Sequence, residues 1–250
     1  MEKIDSKKIY QEVISKFVTR CTGVEGIISI MLTGSVARGD FKPGWSDIDM
    51  IVVVKDECKE SIKKIGSIAN EVSKNIKLPL RSGRPMLDLW ADTLSGALSW
   101  LGKGFEYYNF IKIAKVLYGI DLRRKIKRPS QNQLRELAIK ELKKQVSLIN
   151  GSSKESKESL EQRILNIFDF LFPILRIALA FKGVYVSSKR DITREALRAF
   201  KSIPKIKTVR QAYDLWINWE KLRKEDYPKE FCEDVQKFAF ALYKYIGIIR

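Results

Sequence analysis

The stretch Leu32–Val54 reads L-T-G-S-V-A-R-G-D-F-K-P-G-W-S-D-I-D-M-I-V-V-V, and it decides the fold predicted for this chain. An apolar segment over 27–33 runs into the pair Gly34–Ser35, which predicts a strand followed by a turn. After a basic loop, Asp47 and Asp49 alternate with apolar residues at the start of a second apolar run. Because side chains two residues apart on a strand point to the same face, the two carboxylates are expected to project together.

Paired carboxylates of this kind are typical of a magnesium site. Mg²⁺ takes oxygen ligands from one or two carboxylates and from substrate phosphates, and two such ions can clamp an in-line displacement. A third carboxylate is expected from the alternating segment over 85–91, where Asp88 stands between two leucines. Asp92, nearer the end of that strand, is the weaker alternative. The sequence therefore predicts Asp47, Asp49 and Asp88 as catalytic metal ligands, with Asp88 also a candidate base for an acceptor hydroxyl.

The residues around the basic loop suit contacts with a triphosphate. Gly34 lets the backbone approach a ligand closely, and the Ser35 hydroxyl with neighbouring N–H groups can donate to phosphate oxygens. Arg38 and Lys42 lie in the connecting loop, where they either neutralise phosphate charge or are simply solvated. Ser46 is expected to cap or orient the strand that carries the aspartates. These five residues form the predicted nucleotide-binding set.

Each of these signals is weak when it is taken alone. Two exposed aspartates at a strand start are common, a Gly-Ser pair is commoner still, and Asp88 by itself reads as a surface strand residue. The order of the features is more restrictive: strand, Gly-Ser, eleven residues, Asp-Ile-Asp, apolar strand, and a later strand with a carboxylate. That order favours nucleotidyl transfer.

At these residues the chain resembles the DNA polymerase β-like nucleotidyltransferase superfamily, whose signature is an apolar residue, Gly-Ser, a spacer and an alternating aspartate pair. The run G-D-F-K-P-G-W-S-D-I-D-M-I-V-V is similar to the branch of aminoglycoside and minimal nucleotidyltransferases, with one extra residue near Gly44–Trp45. A weaker similarity to the helical substrate domain of those enzymes covers 174–197. The resemblance implies metal ligands at Asp47 and Asp49, the third carboxylate at Asp88, and a triphosphate held at the Gly-Ser pair.

The composition excludes several classes of mechanism. The chain has 250 residues and no histidine, which excludes a histidine base, a Ser-His-Asp triad and a histidine-ligated metal. Three widely spaced cysteines, Cys21, Cys58 and Cys232, suit neither a disulfide framework nor a zinc site. The N-terminal stretch lacks the apolar core of a signal peptide, and no run of about 18 apolar residues occurs. A cytoplasmic protein without a membrane span is expected.

The net charge of +17 is unevenly distributed along the chain. Residues 1–120 carry 18 basic and 14 acidic side chains, whereas residues 121–250 carry 29 and 16. A basic half indicates an anionic partner such as RNA, although abundant Lys, Arg and Glu are also typical of thermophilic proteins. The densest cluster, Arg123–Arg128, reads either as a binding surface or as a solvated linker. The positive charge disfavours polycationic aminoglycosides as substrates.

The pattern along the chain predicts two domains. Residues 1–120 are expected to form an α+β or α/β polymerase-β-like catalytic domain, with a mixed sheet and flanking helices. Residues 121–250 are expected to form an all-α helical bundle that binds substrate. Within the bundle, Ser130 is a candidate N-cap for a helix over 131–149, and Gly183 is expected to end a long apolar helix.

Together these features predict a magnesium-dependent nucleotidyltransferase with a two-ion site. It moves a nucleoside monophosphate, AMP from ATP in the leading case, to an acceptor hydroxyl and releases pyrophosphate. Three alternatives share the fold: a toxin-like enzyme that modifies RNA or protein, an antibiotic nucleotidyltransferase, and a non-catalytic antitoxin or binding module. The acceptor is unassigned, and the basic half favours RNA or another anionic partner. An apolar, aromatic C-terminal helix offers an interface for a homodimer.

Overall fold

A computed structural model describes residues 6–74, 85–101, 106–151, 160–219 and 230–248. The chain divides into two compact units, Met1–Pro129 and Ser130–Arg250. The first unit combines a four-stranded sheet with flanking helices. The described part of the second unit consists of helices and their connections. The predicted fold class, a mixed sheet followed by a helical region, is confirmed.

The first unit is built around one mixed sheet. Its elements are, in chain order, α1 (Ser6–Thr22), β1 (Ile27–Leu32), α2 (Gly34–Arg38), β2 (Ile48–Val54), α3 (Ser61–Lys74), β3 (Leu87–Thr93), α4 (Leu94–Leu101), α5 (Glu106–Ile113) and β4 (Lys115–Gly119). The strand order is β3-β2-β1-β4. β1 pairs antiparallel with β2 and β4, whereas β2 and β3 run parallel. The strand that carries the aspartate pair therefore lies inside the sheet, and β4 is an edge strand.

β2 is apolar on both faces because each face of the sheet is covered. From its third residue onward the strand is buried, and alternate residues enter two separate cores. Met50 and Val52 pack with apolar residues of α1 and α3. Ile51 and Val53 pack with apolar residues of α4 and α5. A continuous apolar run is typical of a strand covered on both sides, and the alternation puts Asp49 on the α4–α5 face.

A short helix replaces the turn that the sequence predicts at Gly34–Ser35. Thr33 is extended, Gly34 turns the chain with a φ of +67°, and α2 follows directly. Gly39 ends this helix in the left-handed conformation, and its N–H donates to the carbonyl of Ser35 at 3.0 Å. The glycines at both ends permit this single turn, because each adopts a backbone conformation that other residues rarely take.

The second unit is organised around one apolar helix. Its helices are α6 (Gln131–Gly151), α7 (Leu160–Phe181), α8 (Lys189–Ala199), α9 (Lys207–Asn218) and α10 (Phe231–Ile248). α7 packs against α6, α8 and α10. Phe168 of α7 meets Trp219 edge to face, with 5.6 Å between ring centroids. Both side chains are buried, so these aromatic residues belong to the core of the bundle.

The stretch Arg163–Phe181 of α7 is long and apolar enough to cross a membrane, and 61% of that stretch is buried in the structure. The central helix of a soluble bundle has the same length and composition. Because α7 packs against three neighbouring helices, we describe it as a core helix.

Two helix ends in this unit follow their sequence signals. The N–H of Ser130 donates to the Gln133 side-chain oxygen at 2.9 Å, and the N–H of Gln133 donates to Ser130 Oγ at 3.2 Å. This reciprocal pair is a capping box. Gly183 follows α7 with a φ of +79°, and the N–H of Val184 donates to the carbonyl of Leu179 at 2.9 Å. That arrangement is a Schellman-type end, and both predicted caps are confirmed.

Candidate active site

The pairing of β2 with β3 brings the predicted carboxylates together. In the parallel register Asp49 lies directly beside Asp88, and Asp47 precedes β2 by one residue. One carboxylate oxygen from each of the three residues lies within 4.8 Å of the others. Asp47 and Asp49 are partly buried, whereas Asp88 is exposed. The cluster is therefore reachable from solvent on the side of β3.

This carboxylate cluster fits a hard divalent cation. Each pair of charges at 4.8 Å repels by about 1 kcal/mol in water and by more where water is excluded. A cation bound among the three oxygens would offset that repulsion. A donor set made only of carboxylate oxygens suits Mg²⁺ or Mn²⁺, whereas structural zinc sites in proteins are commonly built from thiolate and imidazole ligands.

Gly34 lies against the carboxylate of Asp49. A Cβ added to Gly34 would stand 1.7 Å from Asp49 Oδ2, and the φ of +67° is itself unfavourable for other residues. The N–H of Thr33 donates to the backbone carbonyl of Asp49 at 2.9 Å. The chain leaving β1 is thus packed directly on the aspartate strand. This packing places the first turn of α2, including the partly buried Ser35, next to the cluster.

The loop before β2 is held in place by Ser46 and Tyr10. The N–H of Lys42 donates to Ser46 Oγ at 2.9 Å, and the N–H of Ser46 donates to the Lys42 carbonyl at 2.8 Å. The hydroxyl of Tyr10, from α1, donates to the Ser46 carbonyl. Burial raises the pKa of Tyr10 to about 12, and the negative charge of Asp47 acts in the same direction. The phenol therefore stays protonated at neutral pH and fixes the residue that precedes Asp47.

Arg38 has a partner within the protein. Its Nε donates to Asp40 Oδ1 at 2.9 Å, across the left-handed Gly39 that ends α2. The predicted contact between Arg38 and a phosphate stays a prediction, as does the one for Lys42, whose backbone the loop uses. A phosphate at Arg38 would have to share the guanidinium with Asp40.

Asp92, the weaker candidate for the third carboxylate, lies away from the cluster. It stands four residues beyond Asp88 on β3, which corresponds to about 13 Å along a strand. Its Oδ1 accepts the N–H of Thr93 at 2.7 Å. A Cβ added to Gly96 would lie 2.4 Å from that same oxygen. Asp92 therefore packs on the beginning of α4.

Two aromatic residues near the site, Trp90 and Tyr10, were not among the predicted site residues. Trp90 follows Asp88 by two residues on β3, so both side chains lie on the same face. The Trp90 ring stacks on Trp100 of α4, with centroids 4.7 Å apart, and Trp100 is 43% exposed. The alternation Asp-Leu-Trp in the sequence indicates that Trp90 shares a strand face with Asp88. Tyr10 was also missed, because its contact with Ser46 joins distant parts of the chain.

A comparison with protein families identifies a nucleotidyltransferase domain in this chain. A family model described as "Nucleotidyltransferase domain" matches residues 12–152. No curated protein sequence matches the chain. A crystal structure of spectinomycin adenyltransferase AAD(9) from Enterococcus faecialis, with ATP and spectinomycin, is similar over 96% of this chain and 99% of that one, with a TM-score of 0.54 and 14% identity. A nucleotidyltransferase-like protein from Exiguobacterium sibiricum aligns over 95% of this chain and 74% of that one, with a TM-score of 0.32 and 11% identity.

Proposed function

Since the chain belongs to the family of nucleotidyltransferase domains, we propose that it is a magnesium-dependent enzyme that transfers a nucleoside monophosphate to an acceptor hydroxyl and releases pyrophosphate. The observation that carries this proposal is the convergence of Asp47, Asp49 and Asp88 within 4.8 Å. A binding module of the same fold has no need of three mutually repelling carboxylates.

The three aspartates have separable roles in the proposed reaction. Asp47 and Asp49 would hold the divalent cations, with Asp88 completing the ligand set. When bound, Mg²⁺ would polarise phosphoryl oxygens and offset the negative charge that develops on the attacking and leaving oxygens. Asp88 is the exposed member, so it is also the carboxylate that an acceptor hydroxyl reaches most easily. We assign to it the acceptance of that hydroxyl proton.

The first turn of α2 would bind the triphosphate. The close contact between Gly34 and Asp49 keeps the backbone N–H groups of this turn beside the carboxylate cluster. The Ser35 hydroxyl would donate to the β- or γ-phosphate. Lys42 and Arg38 would neutralise phosphate charge, and Ser46 would hold the loop that positions Lys42.

ATP is the first donor to test, because the similar Enterococcus faecialis structure is that of an adenyltransferase with ATP. We do not propose spectinomycin as a substrate, because a similarity at 14% identity shows only a shared fold. For the acceptor we propose an anionic molecule, with RNA first, because the net charge is +17. We place the enzyme in the cytoplasm, since its cysteines are free thiols. We further propose that the first unit is the catalytic domain, that the second unit is the substrate-binding domain, and that the protein forms a homodimer.

The test uses ATP, GTP, CTP and UTP, each labelled at either the α- or the γ-phosphate. The purified protein is incubated with Mg²⁺ and one labelled triphosphate, together with total RNA, cellular protein or a small-molecule extract. We expect the α-label to enter one acceptor fraction and the γ-label to leave as pyrophosphate. Transfer of the γ-label instead would indicate a kinase and would overturn the proposal.

The double variant Asp47→Asn, Asp49→Asn provides the matched loss of function, because asparagine preserves the shape packed against Gly34. Its control is Glu57→Gln, Glu60→Gln, which removes the same charge from exposed positions elsewhere in the unit. We expect the first variant to lose transfer with an unchanged circular dichroism spectrum, and the second to keep it. Equal activity in the two variants would contradict the assignment of the aspartates.

A further inference from the structure

The basic segment that follows β4 is part of the folded first unit. A 3₁₀ turn, Leu122–Lys125, begins directly after Asp121, whose carboxylate accepts the N–H of Arg123 at 3.0 Å. Leu122 and Ile126 are buried in the core that also contains Ile51 of β2. A solvated linker would not bury two apolar side chains in a core in this way. The segment therefore holds its side chains in fixed positions on the protein surface.

Arg123 has a structural role, because its guanidinium is bound within the protein. Its guanidinium donates to both carboxylate oxygens of Asp121, at 2.8 and 2.7 Å, and to the Ala114 carbonyl at 3.0 Å. The hydrogen bonds from Arg123 hold the pKa of Asp121 below its usual value. Asp121 is the one acidic residue in the sequence between 107 and 128, which also contains seven basic residues. The negative charge of Asp121 is thus paired with Arg123.

Four other cations of this stretch face solvent, and two apolar side chains of the same stretch are also exposed. Lys115 on β4 and Arg124, Lys125 and Lys127 after it are exposed. On the edge strand itself Tyr118 is 42% exposed, and Ile120, one residue beyond it, is 40% exposed. An exposed aromatic ring within a set of cations is the combination that single-stranded nucleic acid uses, through base stacking and phosphate contacts.

We propose that Lys115, Tyr118, Arg124, Lys125 and Lys127 form a binding surface for single-stranded polynucleotide. The four cations contact successive phosphates, and the Tyr118 ring stacks on a base. The surface lies on β4 and on the segment after it, whereas the carboxylate cluster lies on β2 and β3 at the other side of the sheet. Binding here requires neither a nucleoside triphosphate nor the aspartates, so it is a function separate from nucleotidyl transfer.

The position of β4 at the end of the strand order makes this surface accessible. Among the strands in the described residues, β4 is the last of the sheet, and β1 is its hydrogen-bonded neighbour. The exposed Lys115 on this edge also discourages pairing with another strand. The stacking ring and the phosphate contacts select single strands over duplexes, because the bases of a duplex are already stacked on one another.

The test measures fluorescence anisotropy of a labelled single-stranded RNA of about 20 nucleotides, longer than the site of one binding fold, without nucleoside triphosphate. We expect binding that weakens with salt, with a slope of log K against log salt concentration of about −0.7 per phosphate contact. Arg124→Glu, Lys125→Glu, Lys127→Glu should make that slope shallower by about 2 units. Tyr118→Ala should weaken binding by about tenfold while leaving the slope unchanged.

The matched control reverses the same amount of charge at exposed lysines elsewhere in the first unit. The control combines Lys8→Glu, Lys59→Glu and Lys64→Glu, at exposed positions on or next to α1 and α3. It should make the slope shallower by less than half as much as the Arg124→Glu, Lys125→Glu, Lys127→Glu variant does. Equal weakening by both triple variants would show that total charge alone acts, and would overturn the proposal. The Asp47→Asn, Asp49→Asn variant should bind RNA like wild type, which separates this binding from transfer.

Further arms compare DNA of the same sequence, duplex RNA and anionic phosphatidylserine vesicles. Equal affinities for single-stranded RNA and DNA would support recognition of features that both polynucleotides share. A higher affinity for RNA would support contacts that include the 2′-hydroxyl. Tighter binding to the duplex, or binding to vesicles with none to RNA, would overturn the proposal. Circular dichroism of every variant confirms that the measured loss belongs to a folded protein.

Discussion

Gly34 and Asp49 are in direct contact: a Cβ placed on the glycine would stand 1.7 Å from the carboxylate oxygen Oδ2. The contact joins the turn after β1 to the beginning of β2, the strand that brings Asp49 beside Asp88. It requires a residue without a side chain at a backbone φ of +67°. The position of one carboxylate therefore depends on a glycine that offers no chemical group of its own.

We expect Gly34→Ala to reduce nucleotidyl transfer by about 100-fold, because a displacement of about 1 Å at a reacting group has that effect. The added Cβ must push Asp49 away, in addition to the backbone strain of about 1–2 kcal/mol. Gly39→Ala is the control, since Gly39 has a φ of +84° with nothing within 4 Å of its added Cβ. Thermal melting and transfer rates separate the two effects. Equal activities in both variants would contradict the role of the contact.

Asp88→Asn should stabilise the protein in EDTA and destabilise it, relative to wild type, in Mg²⁺. Without a cation the variant loses one repulsive charge, worth about 1 kcal/mol per partner in water. With Mg²⁺, wild type gains stability through binding, and the variant gains less. Urea unfolding in both buffers measures the change. Asp92→Asn, on the same strand but away from the cluster, should show no dependence on Mg²⁺ beyond that of wild type.

Tyr10→Phe should lower the free energy of unfolding by about 1–2 kcal/mol, because the buried carbonyl of Ser46 loses its donor. Transfer should also slow, since that hydrogen bond holds the residue before Asp47. Urea unfolding and the KM for ATP provide the two readouts. Tyr118→Phe, at a 42% exposed position, should stay within about 0.5 kcal/mol of wild type. A Tyr10→Phe variant as stable as wild type would show that the loop is held by other contacts.

One thiol should react with a disulfide reagent in the native protein and three in the unfolded protein. Cys21 and Cys232 are buried, whereas Cys58 is partly exposed. Burial raises the pKa of Cys21 from 9.0 to about 11, which favours the unreactive thiol. The stability that this shift contributes is complete below pH 9.0 and is lost as pH rises through about 11. Titration with dithionitrobenzoate checks the count, and unfolding of Cys21→Ser above pH 9.0 should depend less on pH.

The carboxylate cluster could be predicted because a strand has a fixed period of two residues. That period places the side chains of Asp47 and Asp49 together wherever the strand lies in the sheet. The position of Asp88 beside Asp49 depends on a parallel register between distant segments. No local pattern encodes that register, so the sequence supplied the residue type and the structure supplied the pairing.

The features that could not be predicted from the sequence depend on contacts between distant residues, or on a choice between two local backbone conformations. The Tyr10 hydroxyl meets Ser46 through the packing of α1 on the sheet, which no spacing rule contains. Gly34–Ser35 begins a helix instead of a turn, since both conformations use the same flexible glycine. Arg38 pairs with Asp40 because Gly39 reverses the chain between them.

The parallel pair of β2 and β3 also has a consequence for the time course of folding. Asp47 and Asp49 are neighbours in any extended chain, but Asp88 joins them only after the crossover over 55–86 has closed. Closing such a connection costs chain entropy before any of its contacts form, so parallel pairs tend to form late. A nascent chain that ends before β3 carries two of the three carboxylates. Assembly of the complete cluster therefore requires the native register between β2 and β3.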